Sequence, residues 1–119
     1  MNDDFELKRL KFEDFIWLVF GILCFINIRG DYDERLYIKN KDQKVKKEAN
    51  SIFETTLTIT FLIYLYFFTR NYYALKKASA KEKRLYEIKL TGSLFLIIGI
   101  ICLLYFQKNQ KEFEGSPAL

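Results

Sequence analysis

Apolar residues in this chain are gathered into three blocks, and charged residues fill the segments between them. The blocks lie at about residues 12–28, 52–68 and 90–106, and each is 17 residues long. A helix or strand of a soluble domain would instead interleave apolar and polar residues at a period of about 3.6 or 2 residues. The block pattern therefore predicts three α-helices that are apolar around most of their circumference.

The length of the blocks suits a lipid bilayer. At about 1.5 Å per residue each block gives roughly 25 Å of helix, slightly less than the ~30 Å hydrocarbon core. Three helices of this kind could not bury one another in a chain of 119 residues. We therefore predict an all-α, multi-pass protein of the cell membrane, with three short transmembrane helices in one domain of residues 1–119. The alternative is a soluble bundle in which the blocks are core helices.

Capping signals predict where the helices begin and end. Ser51 and Glu54 match a capping box, so the second helix is expected to begin at Ser51. The first connection, residues 29–51, is predicted to hold a short surface helix from about Tyr32 to Ala49. The second connection, residues 69–89, contains good helix formers and neither Pro nor Gly. Helices two and three are therefore predicted to extend beyond the bilayer as a hairpin.

Basic residues give a weak prediction of orientation. The formal net charge is +4, and Lys and Arg divide almost equally between the two sides of the membrane, ten against nine. Lys8, Arg9 and Lys11 directly precede the first block, and the second connection is densely basic, so a cytoplasmic N-terminus is favoured. No nucleic-acid partner is predicted, because these charges follow the connections and do not form one basic surface with stacking aromatic residues.

The second connection has two interpretations. It could attract anionic lipid headgroups, or its charge could only fix the topology of the chain. The candidate contacts with anionic lipid are Arg70, Lys76, Lys77, Lys81, Lys83 and Arg84.

The chain lacks the residue types on which catalysis and metal binding usually depend. It has no histidine, its two cysteines lie inside apolar blocks, and no ionisable residue lies near the middle of a block. Proton relays and charge-coupled transport need such groups at depth, and enzymes need acid, base or nucleophile pairs. We predict no catalytic residue, no metal ligand, no cofactor and no enzymatic activity.

Hydroxyl and amide groups supply the polarity inside the blocks. Thr56, Thr60 and Tyr64 lie four residues apart on one face of the second helix, and Asn27 lies near the end of the first. These groups could form hydrogen bonds between helices or to their own backbone. Alternatively, the stripe could line a water-filled path in an oligomer.

Small residues mark faces where helices can approach closely. Six such residues are predicted to form helix contacts: Gly21, Cys24, Gly92, Ser93, Gly99 and Cys102. Cys24 and Cys102 should lie at similar depth, so a disulfide is an alternative to simple packing.

These observations predict a non-enzymatic membrane protein that works through association of its helices. Its partners would be the lipid bilayer and either further copies of itself or another membrane protein, for which it would be a small accessory or regulatory subunit. The alternative is a homo-oligomeric ion channel or membrane-permeabilising pore lined by the second helix.

Overall fold

The structure is a computed structural model that describes residues 3–109, and it is helical with two short turns over that range. Three helices follow in order: α1 (Asp3–Asn40), α2 (Gln43–Lys77) and α3 (Lys83–Asn109). Helices α2 and α3 are long and apolar enough to cross a membrane. The prediction of an all-α chain with three helices is confirmed for the described residues.

The chain divides into two compact units, residues 1–52 and 53–119. The first unit contains α1 and the beginning of α2, and the second contains the rest of α2 and all of α3. Each unit is described by itself below.

In the first unit, acidic residues stabilise the first turn of α1. Three acidic residues, Asp3, Asp4 and Glu6, lie in its first turn, where carboxylates interact favourably with the positive end of the helix dipole. Arg9 then bonds to Glu6 at 2.6 Å and to Glu13 at 3.1 Å, three and four residues away on the same side of the helix.

The turn between α1 and α2 consists of Lys41 and Asp42. Lys41 has φ 54°, and its amide donates a 2.6 Å hydrogen bond to the carbonyl of Tyr37, which closes α1 with a left-handed residue. The side chain of Asp42 accepts a 2.9 Å hydrogen bond from the amide of Lys44, so it caps the first turn of α2.

Two predicted boundaries in this region are wrong. Residues 32–49 do not form a separate surface helix, because they belong to the end of α1 and the beginning of α2. Gly30 lies inside α1 as a buried residue, and an interior glycine costs only about 1 kcal/mol. Helix α2 also begins eight residues before Ser51, because Asp42 caps it earlier and the intervening residues are compatible with a helix.

In the second unit, α2 and α3 form an antiparallel pair. Near one end, Glu54 Oε1 lies 3.8 Å from Lys108 Nζ, and near the other, Asn71 donates a 2.5 Å hydrogen bond to Ser93. The turn between the helices is short, with the carbonyl of Ser79 accepting bonds from the amides of Glu82 and Lys83.

Burial is confined to one face of each helix in this unit. On α3 the buried residues Ser93, Ile97, Ile100 and Gln107 recur at helical spacing. In the most apolar 18 residues of α2 and of α3, only 17% are buried. Most apolar side chains of α3 are exposed, whereas most of those of α2 are half-buried.

Candidate helix-association and lipid-contact surfaces

The exposed side of α3 carries a regular row of large and small residues. We call this row the exposed α3 face; its spacing alternates between four and three residues, and it consists of Ile88, Gly92, Phe95, Gly99, Cys102 and Phe106. Such spacing keeps side chains on one side of a helix and is the spacing of a helix-packing seam. Phe95 lies between the two glycines, so the row presents a large side chain flanked by two gaps.

The two glycines of this face are exposed and have open space beside them within the described part of the chain. A Cβ atom placed on Gly92 or Gly99 would meet nothing within 4 Å among the described residues. Cys102 is exposed and has a free thiol. Of the predicted small contact residues on α3, Ser93 is buried and bonds to Asn71 of α2, whereas Gly92, Gly99 and Cys102 are exposed.

Helix α1 carries a similar but shorter exposed row. Leu18, Gly21, Phe25 and Ile28 follow spacings of three, four and three residues, and all four are exposed. A Cβ atom on Gly21 would also meet nothing within 4 Å among the residues described, and Cys24 beside it is an exposed free thiol.

The predicted polar stripe of α2 uses its hydroxyl groups locally. Thr56 Oγ1 donates to the carbonyl of Phe53 at 3.1 Å, and Thr60 Oγ1 donates to the carbonyl of Thr56 at 2.8 Å. Thr56 is buried, whereas Thr60, Tyr64 and Asn27 are half-buried. The hydroxyl groups of both threonines thus donate to the backbone of their own helix. This is the arrangement expected if the stripe has a structural role and does not line a pore.

Asn71 and Ser93 form a polar contact between α2 and α3. Asn71 Nδ2 donates to Ser93 Oγ at 2.5 Å, and Ser93 Oγ donates in turn to the carbonyl of Lys89 at 3.2 Å. Both residues are buried, and Asn71 Oδ1 is buried with no hydrogen-bond partner. Asn71 was not among the predicted site residues, because it lies three residues beyond the predicted second block, although its polar amide was a visible signal.

In the first unit Arg29 joins α1 to the beginning of α2. Its guanidinium lies 3.5 Å from the buried Asp33 carboxylate and 3.6 Å from Glu48 on α2, and it also stacks over Tyr32. Sequence reasoning did not single out this group. The four-residue spacing of Arg29 and Asp33 within a helix was the signal that could have found the first of these pairs.

The turn between α2 and α3 is basic, and its exposed cations contrast with the ion-paired Arg29. Five of its cations lie within nine residues and are exposed: Lys76, Lys77, Lys81, Lys83 and Arg84. Lys76 Nζ lies 4.9 Å from the ring centre of Tyr72 and 5.9 Å from that of Tyr73. The two tyrosine rings contact each other edge to face at 5.8 Å. The sixth predicted lipid contact, Arg70, is half-buried and lies on α2 one turn and a half before Lys76.

Within residues 3–109 no group of three or more His, Cys, Asp or Glu side chains could hold a metal ion. A side-chain hydrogen bond to Glu6 raises the pKa of Arg9, and Glu13 adds to this effect against the opposing effect of burial. Arg9 therefore stays cationic throughout the ordinary pH range.

Comparison with known proteins gives no further guide to these surfaces. The chain matches no protein-family model, no curated protein and no solved structure.

Proposed function

We propose that this chain is a multi-pass membrane protein with three transmembrane helices, which acts without catalysis through association of those helices. The exposed α3 face carries the proposal, because it combines the spacing of a packing seam with two glycines whose Cβ positions meet no atom within 4 Å among residues 3–109. The low burial of α2 and α3 supports the membrane location, because core helices of a soluble protein would be mostly buried.

The polar contacts between α2 and α3 suit the thickness of a bilayer. Glu54 and Asn71 are 17 positions apart on α2, and Ser93 and Lys108 are 15 positions apart on α3. At about 1.5 Å per residue these separations are roughly 26 and 23 Å. The two contacts would therefore lie close to the two membrane interfaces, with apolar helix between them.

Helix α1 supplies the third transmembrane segment in this proposal. Its apolar run, Phe15 to Ile28, has 14 residues and would span roughly 21 Å. The pairing of Glu13 with Arg9 lowers the cost of holding an acid at headgroup depth, which lets the span begin near Phe12. The N-terminus is proposed to be cytoplasmic, and the ends of α2 and α3 to project past the bilayer as a hairpin.

Association through α3 would place copies side by side in the same orientation. In a symmetric pair, Gly99 of one copy would meet Gly99 of the other, and the two Cys102 thiols would lie at the same depth. Phe95 of each copy could then fill the gap left by the glycines of its partner. If the partner is a different membrane protein, the same face is available to its helix.

A pore lined by α2 is not part of this proposal. Such a pore would require the Thr56, Thr60 and Tyr64 stripe to face water at an oligomer axis. Thr56 is buried and the other two are half-buried, and the threonine hydrogens are donated to the backbone. These observations favour a structural role for the stripe.

The test is the mass of the species extracted from its native membrane in mild detergent, compared with that of the Gly99→Leu variant. We expect a complex in the wild type and a shift of about tenfold or more toward the single chain in the variant, because leucine blocks close approach of helices. A Cβ atom at this position meets nothing within 4 Å among the described residues, so we expect loss of the complex to report on the contact with the partner.

The matched control is Ile98→Phe, which adds bulk at the neighbouring exposed position outside the defined face. Its complex should persist. A short bismaleimide should also join two chains through Cys102 in a Cys24→Ser background. A repeated chain identifies a homo-oligomer and a foreign chain identifies an accessory subunit. A single chain in the wild-type extract, or a monodisperse chain in buffer without detergent, would overturn the proposal.

A further inference from the structure

We infer that the turn between α2 and α3 is a contact site for the phosphate of anionic lipid headgroups. The inference rests on the proposed membrane location, and it adds a ligand, the phosphate group of an anionic lipid. The site consists of the basic turn residues 76–84 together with Tyr72 and Tyr73.

Within residues 3–109, four cations of this turn have no carboxylate partner. Lys77, Lys81, Lys83 and Arg84 are exposed and form no ion pair among the described residues, although Glu82 lies in the same turn. Two guanidinium groups outside this turn have carboxylate partners: Arg9 contacts Glu6 and Glu13, and Arg29 contacts Asp33 and Glu48. The turn therefore presents an unsatisfied positive charge that an external anion can neutralise.

Aromatic rings hold one of these cations beside the membrane end of the site. Lys76 Nζ lies close to the rings of Tyr72 and Tyr73, and both tyrosines are exposed. Tyrosine favours the headgroup region, where its ring is in apolar surroundings and its hydroxyl can donate to a phosphate oxygen. Because the Lys76 ammonium is placed over these rings by a cation–π contact, less freedom is lost when a phosphate binds.

The turn between α1 and α2 provides an internal comparison. Residues 29–51 contain seven basic and five acidic residues, whereas residues 69–89 contain seven basic and only two acidic residues. Lys41 and Lys46 of the first turn both lie 5.4 Å from the ring centre of Tyr37, which is half-buried. Residues 29–51 thus carry less net positive charge than residues 69–89. We therefore expect the first connection to discriminate less between lipids.

A lipid fits this site better than a soluble phosphate compound. The cations lie on successive turns at the end of two apolar helices, and the described residues form no group of buried donors that would enclose a small anion. Several headgroups at one surface can neutralise several separated cations at the same time, whereas one free phosphate cannot.

The experiment uses the full chain in mixed micelles. Native mass spectrometry measures how strongly it retains phosphatidylglycerol relative to phosphatidylcholine. The variant Lys77→Gln, Lys81→Gln, Lys83→Gln removes three exposed charges from the α2–α3 turn. The matched control, Lys39→Gln, Lys44→Gln, Lys47→Gln, removes three exposed charges from the helix ends on either side of the first turn. Far-UV circular dichroism checks that both variants keep the wild-type helix content.

We expect the wild type and the control to prefer the anionic lipid, and the α2–α3 variant to lose that preference by about a hundredfold. This magnitude follows from about a fivefold contribution by each basic residue near an anionic surface. The preference of the wild type should also fall as salt rises, which tests the inference without any substitution.

Three outcomes would overturn the inference. The wild type could show no preference, the two variants could lose it equally, or millimolar inorganic phosphate could displace the lipid and so identify a soluble anion as the ligand. A chain that needs detergent yet shows no lipid preference would contradict only this inference. A chain that is soluble without detergent would contradict the proposed function itself.

Discussion

The buried hydrogen bond between Asn71 and Ser93 allows a quantitative test of how α2 and α3 are held together. The change is Ser93→Ala, which removes the acceptor of the 2.5 Å bond and leaves the Asn71 side-chain N–H groups buried. The same change also frees the carbonyl of Lys89 from its 3.2 Å contact with Ser93. That second loss is small, because such bonds compete with the helix's own hydrogen bonds.

The expected loss in the free energy of unfolding is about 1–3 kcal/mol. A hydrogen bond between helices in a membrane contributes on average about 0.6 kcal/mol and at most about 1.7 kcal/mol. A buried donor without a partner adds a further cost, because its desolvation is no longer compensated. The Asn71 acceptor Oδ1 already has no hydrogen-bond partner among the described residues, so Ser93→Ala would leave both the oxygen and the nitrogen of this amide buried without one.

A second substitution should recover part of this loss. In Asn71→Leu, Ser93→Ala both polar groups are replaced by apolar ones, so the helix pair should be more stable than in Ser93→Ala alone. We would measure unfolding of wild type, both single variants and the double variant in detergent micelles by circular dichroism. A Ser93→Ala variant as stable as wild type, or a double variant that shows no coupling between the two sites, would refute this account of the contact.

Two further predictions concern the ends of the helices. Asp42→Ala should lower the free energy of unfolding by about 1 kcal/mol, because the amide of Lys44 loses its cap. Asp42→Asn keeps a capping oxygen and should change the free energy of unfolding little. An equal loss in both variants would contradict the capping role. Glu54→Gln should lower the free energy of unfolding by less than about 1 kcal/mol, because the ion pair with Lys108 is long and exposed to solvent. The difference from wild type should disappear in high salt. A larger, salt-independent loss would show that the interaction is not a surface ion pair.

Local chemistry in the sequence was enough to predict three helices and their apolar centres. Apolar blocks without charged residues near their middle, at residues 52–68 and 90–106, admit few structures other than helices surrounded by lipid or protein, and α2 and α3 contain these blocks. The absence of histidine and of deeply placed charges also followed from the sequence alone. These properties depend on residue type and spacing over a few helical turns, which a sequence displays directly.

Helix boundaries were less predictable, because the chain holds more capping signals than it uses. Ser51 with Glu54 and Ser79 with Glu82 both match the same capping pattern, but only the second stands immediately before a helix. At Ser51 the chain was already helical, since Asp42 had capped α2 and each further residue adds a backbone hydrogen bond. Which signal acts depends on competition between neighbouring segments.

The choice of helix faces was decided by tertiary structure. Spacing alone grouped Ser93 with Gly92 and Gly99 as small contact residues, but Ser93 is buried against Asn71 while both glycines are exposed. Residues one position apart point about 100° away from each other on a helix, so the rotation of α3 against α2 determines which one is enclosed. The sequence determined that the helices are apolar; the packing of α3 on α2 determined which of its residues remain open to a partner.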